Sequence, residues 1–286
     1  MFCHLLYKKA EFLFFLNHKK LNPNPKMKSI TIARVLLFNL AYYVQCQAML
    51  DFTLLKSLAP AYTTATTIDL TSKSIFYIDS LTFNYTPQVF TTLTLTSNLL
   101  TSVSATAFKY CTLLRTLILS KNSISRIDSG SFNAAGLTQN LQVLDLSYNN
   151  FTALSYTDIL GTSNLVELRL NNNQLASVTN LFQGSTTYYT KLTTVYLNSN
   201  LLTSVTESTF SMLTNLVRIY LNDNKLITVP AKSFYGLVNL QYIYIGNNPI
   251  ATSAPYSLIQ LCLGNPKCHV CLYTSCVKSN GDFFVV

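Results

Sequence analysis

The sequence predicts an α/β solenoid: about eight stacked turns, each giving one short strand to a parallel concave sheet, with a mostly irregular or short helical convex side. Three observations predict it. The template L-x-x-L-x-L-x-x-N-x-L recurs along the chain at intervals of 24 to 27 residues. Positions 4 and 6 of the template alternate with polar neighbours, the period of a half-buried strand. An asparagine returns at position 9 of seven consecutive copies. Composition agrees. Apolar residues make up 49% and charged residues 11% of the 286, against roughly 25% charged in an ordinary soluble domain, so disorder is excluded for most of the length.

The turns follow in order. A degenerate first copy is Ile68, Leu70, Lys73, Ile75, and a looser second is Phe90, Leu93, Leu95, Asn98, Leu100. Full copies begin at Leu114, Leu141, Leu165, Leu192 and Leu216, with Asn122, Asn149, Asn173, Asn200 and Asn224 at position 9. The last is Leu240, Ile243, Ile245, Asn248, Ile250. The position 4 and 6 side chains face the core. At position 9 the chain leaves the strand with buried backbone groups, and an amide that both donates and accepts can satisfy them and neighbours in the next turn. Lys73 breaks that column in the first copy, as expected of an atypical terminal repeat. A second column at position 19 reads Phe108, Phe132, Ile159, Phe210, Phe234 and Leu258, with Phe182 one residue early. It is expected to be a convex-side core. Cys111 falls in the position 22 core column, as a small buried hydrophobe. Three-residue insertions near Asn133–Asn140 and Gly184–Thr190, the second holding Tyr188 and Tyr189, are expected to be surface bulges.

Over about residues 62–264 these repeats resemble the leucine-rich repeat family, in the extracellular class of about 24 residues per turn. The resemblance implies a horseshoe with a concave parallel sheet, of the kind found in the ectodomains of receptor-like proteins and receptor kinases. Extracellular members often end in a cysteine-rich cap. Cys262, Cys268, Cys271 and Cys276, just after the last repeat, look like a short version. The reading is two disulfides in an oxidising compartment, with three pairings open. The competing reading is a zinc knuckle with His269 as a spare ligand.

The chain divides into a leader at 1–48, a repeat domain with an N-terminal cap at 49–264, and a cysteine-rich cap at 265–286. Of the 20 basic and 11 acidic residues, seven bases and one acid lie in 1–48. The formal net charge of +9 is therefore mostly the leader's. Met27 opens a basic stretch followed by an uncharged run from Val35 to Leu50, with small-residue cleavage patterns around Cys46 and Ala48. This is the layout of a secretory signal at 27–48, an uncleaved anchor being the alternative. Residues 1–26 are an extended leader, or lie upstream if synthesis starts at Met27. Asn84-Tyr-Thr and Asn150-Phe-Thr are glycosylation sequons, consistent with secretion.

Chemistry is sparse. His4 and His18 precede Met27, which leaves His269 alone in the mature chain and argues against serine–histidine or cysteine–histidine catalysis. Nucleotide-loop motifs are absent. Asp145 with Glu167 is the nearest approach to a carboxylate pair. No cofactor, metal or nucleic-acid partner is expected, and a membrane only through an uncleaved anchor or a missing C-terminal segment.

What stands out is a surface. Strand positions 2, 3, 5, 7 and 8 point to the concave face. Threonine dominates columns 3 and 5 in the N-terminal half, and tyrosine gathers in the C-terminal half. The candidate ligand-binding residues are Asp145, Glu167, Arg169, Tyr196, Arg218, Tyr220, Tyr242 and Tyr244. Tyrosine and arginine are frequent interface hot spots, although tyrosine also suits an exposed strand. The expectation is a secreted, non-enzymatic recognition module for a protein, peptide or glycan, either whole or the extracellular part of a receptor whose remainder lies beyond Val286. The rivals are a wall or matrix adhesion protein and an intracellular scaffold.

Overall fold

A computed structural model describes residues 48–84, 89–133, 140–183, 189–252, 260–262, 264–272, 275–278 and 283–285. The chain divides into two compact units, Met1–Ala48 and Met49–Val286. The expected signal region before residue 48, Leu258, Tyr188 and most of both insertions lie outside the described residues.

The second unit opens on an N-terminal cap. β1 (Ala48–Leu50) pairs with β3 (Ile75–Ile78) in a two-stranded sheet. Between them runs the short helix α1 (Phe52–Leu58), started by Asp51, whose carboxylate accepts from the Leu54 amide at 2.7 Å. Eight parallel strands then form the concave sheet: β2 (Thr67–Asp69), β4 (Thr92–Thr94), β6 (Thr116–Ile118), β8 (Val143–Asp145), β9 (Glu167–Arg169), β10 (Thr194–Tyr196), β11 (Arg218–Tyr220) and β12 (Tyr242–Tyr244). Every neighbouring pair is in register, so template position 4 meets position 4 from Ile68 to Ile243. On the return side β5 (Ser102–Val103) pairs with β7 (Arg126–Ile127). The other described convex chain includes a parallel bridge between Ser204 and Thr228, turns and two short 3-10 segments, Pro249–Thr252 and Gln260–Cys262.

The core is built of columns. Leucines and isoleucines at positions 1, 4, 6 and 11 are buried in turn after turn. The position 19 residues form the expected spine, which Phe83 extends into the first turn. Phe83, Phe108 and Phe132 stack at 6.4 Å steps, Phe210 stacks on Phe234 at 5.4 Å, and Phe182 lies tilted against Phe210 at 5.9 Å. Cys111 lies fully buried among them, and burial pushes its thiol well above the ordinary range.

The asparagine column works in the opposite direction from the one expected. Asn200 donates to the carbonyls of Leu170, one turn back, at 2.9 Å and Leu197 of its own turn at 3.1 Å, and accepts from the Leu175 amide, again one turn back, at 3.0 Å. Asn98, Asn122, Asn149, Asn173, Asn224 and Asn248 repeat this toward the preceding turn. Lys73 therefore loses no such bond, because the first copy has no strand turn before it to serve. The residue just before each of these positions takes a left-handed conformation, from Ser72 (φ 57) through Tyr148 (φ 53) and Ser199 (φ 56) to Asn247 (φ 54), which turns the chain inward and aims the asparagine at the core.

Tyr189 corrects the reading of its insertion as a surface bulge. It is 3% exposed, its hydroxyl donates to the Leu181 carbonyl at 3.1 Å, and its ring packs edge-on against Phe182 at 5.8 Å.

Candidate ligand groove on the concave face

The disulfides are Cys262–Cys268 and Cys271–Cys276. This pairing resolves the three that the spacing allowed. The cap is also more than a cover. β13 (His269–Cys271) adds a ninth parallel strand beside β12, with His269 opposite Tyr242 and Cys271 opposite Tyr244. β14 (Ser275–Lys278) and β15 (Phe283–Val285) then pair antiparallel and close the sheet. His269, the spare ligand of the competing zinc reading, faces the concave side. Its ring stacks on Tyr242 at 5.3 Å and its Nδ1 lies 3.1 Å from the Gln241 carbonyl oxygen.

Strand alternation sets the face. Residues at positions 3 and 5 flank the buried position 4 residue and point away from the core, while register aligns them across strands. Tyr196, Tyr220 and Tyr244 fall in one column. Their rings stack at 4.5 and 4.4 Å with interplanar angles of 6° and 1°. Tyr242 belongs to the neighbouring column, 5.9 Å from Tyr244. The guanidinium of Arg169 lies over Tyr196 at 5.4 Å and that of Arg218 over Tyr242 at 5.7 Å.

The acidic residues serve the arginine. Arg169 donates through Nε to Glu167, and its Nη1 lies 3.8 Å from Asp145 Oδ2. Burial works against its charge, but the bond to Glu167 and the charges of Glu167 and Asp145 outweigh that and raise its pKa. Asp145 is 6% exposed, and its other oxygen accepts from the Ser147 amide at 2.9 Å and hydroxyl at 2.6 Å. It lines the groove and also positions Arg169. Asp145 and Glu167 thus form a clamp around one guanidinium, not an acid–base pair. The phenols of Tyr220 and Tyr244 are held above their ordinary range, by burial first and then by neighbouring tyrosines, with Arg218 pulling the other way.

Asp145, Arg169, Tyr196, Tyr220 and Tyr244 line a groove of about 700 Å³, whereas Glu167, Arg218 and Tyr242 lie beside it and outside its lining. Its far wall is made of residues missed in the sequence: Lys121, Tyr148, Asn171, Asn198, Asn222 and Asp223, with Asn247 at the end. They occupy positions 7 and 8, and tabulating those two columns would have found them. Both sequon asparagines, Asn84 and Asn150, are exposed, away from the groove lining. Thr86 of the first sequon lies outside the described residues.

The repeats match the family models described as Leucine rich repeat over residues 88–138 and 190–250 and Leucine Rich Repeat over 140–161. These matched turns are leucine-rich repeats, and the chain has the leucine-rich repeat solenoid fold. Solved structures share the fold. One is the crystal structure of a TLR13–ssRNA13 complex, 24% identical, with a TM-score of 0.65 over 78% of this chain and 30% of that one. Another is human 5T4 (Wnt-activated inhibitory factor 1, trophoblast glycoprotein), 22% identical, with a TM-score of 0.59 over 73% of this chain and 76% of that one. The chain thus spans less than a third of the TLR13-complex chain it matches. No curated protein sequence matches it.

Proposed function

We propose that the chain is a secreted, non-enzymatic recognition module, of the receptor-ectodomain kind, that binds a protein, peptide or glycan on its concave face. The stacked ladder of Tyr196, Tyr220 and Tyr244 carries this reading. The solenoid requires its leucine, asparagine and phenylalanine columns for packing. It does not require three tyrosines in one column on the solvent side of the sheet, beside two arginines and lining a groove of about 700 Å³. That composition matches interface hot spots, where rigid amphipathic rings supply contact area at low entropic cost. Two disulfides, an exposed Asn150 and the signal-like run at 27–48 support secretion.

The TLR13 structure was solved with single-stranded RNA, which weighs against the expectation that nucleic acid is not a partner. In columns 3 and 5 here, Asp69, Asp145 and Glu167 stand against only Arg169 and Arg218. A phosphate track needs the opposite balance, so the charge pattern favours a polypeptide or glycan.

The test is a pull-down from the extracellular fraction, comparing the chain with its Tyr196→Ala/Tyr220→Ala/Tyr244→Ala variant and adding nuclease to one arm. A ligand held by the first and lost by the second, with an unchanged circular dichroism spectrum, supports the reading. Unchanged capture removes the ladder from it. Finding the protein cytosolic, with free thiols at Cys262, Cys268, Cys271 and Cys276, would sink secretion.

A further inference from the structure

We propose that the tyrosine ladder is a docking track for a proline-rich segment in the polyproline II conformation, with an acidic side chain of that segment against Arg218. This rests on the recognition reading above and narrows it to one ligand conformation.

Ring geometry supplies the first argument. Tyr196, Tyr220 and Tyr244 lie face to face at 4.5 and 4.4 Å, so both faces of Tyr220 are covered, and the outer side of Tyr196 carries the Arg169 guanidinium. Bases bind by stacking on free aromatic faces, and the faces of Tyr196 and Tyr220 are closed to a run of successive bases. What it offers is ring edges and a row of phenol groups, one per turn, beside the amides of Asn171, Asn198 and Asn222. A polyproline II backbone has no internal hydrogen bonds. Its carbonyls can therefore accept from phenols and amides together, and its rings can lie in aromatic-lined furrows.

Register supplies the second. Strands repeat at about 4.8 Å, so two turns of the solenoid advance about 9.6 Å. Three polyproline II residues, one full turn, advance about 9.3 Å. A segment running across the strands thus returns the same side to the ladder at Tyr196 and at Tyr244. A β-strand repeats its face every ~6.7 Å and an α-helix every ~5.4 Å, and neither coincides with one or two strand steps.

Charge supplies the third. The ladder and its flanking amides are uncharged. Arg169 is engaged by Glu167 and Asp145, whereas Arg218 forms no ion pair among the described residues and lies exposed over Tyr242. A ligand carboxylate would complete it.

The test is fluorescence anisotropy with the full chain and three labelled nonapeptides: all proline, proline with a central glutamate, and glycine with a central glutamate. The glutamate–proline probe should bind at least about tenfold tighter than the glycine one. Arg218→Gln should bring it down to the level of all-proline. Tyr196→Phe/Tyr244→Phe, which keeps the rings and removes two hydroxyls, should weaken both proline probes about tenfold with the fold intact. Equal binding of glycine and proline probes, indifference to the Phe variant, or binding only of a linear glucan or a single-stranded RNA oligomer would each overturn the proposal. If the triple alanine variant still loses its extracellular ligand, the broader recognition reading survives that failure. If the variant keeps the ligand, the ladder is removed from the recognition reading and this proposal falls with it.

Discussion

A single buried amide shows how each turn depends on the next. Asn200 is 5% exposed and satisfies a carbonyl and an amide of the preceding turn as well as a carbonyl of its own. Alanine there leaves the Leu175 amide without its partner inside the solenoid, where water is excluded, while Leu170 O keeps the amide of Asn173 and Leu197 O that of Asn224. An unsatisfied buried group costs ~1–3 kcal/mol, so Asn200→Ala is expected to lose about that amount in urea unfolding. Lys73 stands at the same template position with no preceding strand turn. Lys73→Asn should therefore change stability by less than about 0.5 kcal/mol, as an ordinary surface substitution does. A similar loss or gain at both sites would mean the asparagines act through local turn preference and not through bonds to the turn behind. The same residue scale explains the left-handed backbone just before each asparagine. Ser199 at φ 56 and Asp223 at φ 57 occupy a region that small polar residues tolerate better than branched ones, and serine, asparagine and aspartate dominate that column.

At the scale of elements, the C-terminal cap governs the end of the groove. β13 hydrogen-bonds along β12, and Cys271 sits opposite both Tyr244 and Cys276. The disulfide between Cys271 and Cys276 closes a loop with a sequence separation of 5, for which the chain-entropy relation gives ~2 kcal/mol. Replacing both cysteines with serine is expected to lower stability by about that amount. It should also speed hydrogen exchange at the β12 amides, while amides of β4 and β6 keep their protection, because coupling in a solenoid runs through neighbouring turns. Uniform loss of protection along the sheet would show the cap to be a global clasp. This element was only half legible in the sequence. The four cysteines announced a cap, but Lys267 stands where the template wants leucine, and the buried residue there is Cys268. The strand His269-Val270-Cys271 therefore looks in sequence like part of a disulfide or zinc cluster and not like a ninth copy of Tyr242-Ile243-Tyr244.

Across the whole molecule, legibility follows packing. Every turn must offer the same shape to the next, so Leu168, Asn173 and Phe210 are repeated and can be read. The concave face is under no such demand. The columns there could be placed, but not the contacts within them. Stacking of Tyr196 on Tyr220 follows from register, whereas burial of Asp145 depends on where Ser147 and Arg169 happen to reach. The direction of the asparagine bonds was equally hidden, since the motif names the residue and not the turn it serves. This modular construction allows fold and site to be tested apart. The described hydrogen bonds from Leu192–Asn215 run within that turn or to the turns on either side, such as Leu197 to Tyr220 and Asn215 to Thr190. Removing those residues joins Lys191 to Leu216, which restores the template's register and sets Arg169 beside Tyr220. The shortened chain is expected to fold cooperatively, with stability reduced by roughly an eighth, as nearest-neighbour addition of turns implies. It keeps Arg218, Tyr220 and Tyr244 but loses the two-turn interval between Tyr196 and Tyr244. A proline-rich ligand should then bind at least about tenfold more weakly, even though circular dichroism and the sharpness of melting are preserved. Full retention of binding would show that two stacked rings suffice and that the interval carries no information. Loss of the cooperative melt would show that the turns are not interchangeable modules, and that the cap and the tyrosine half depend on the length of the whole coil.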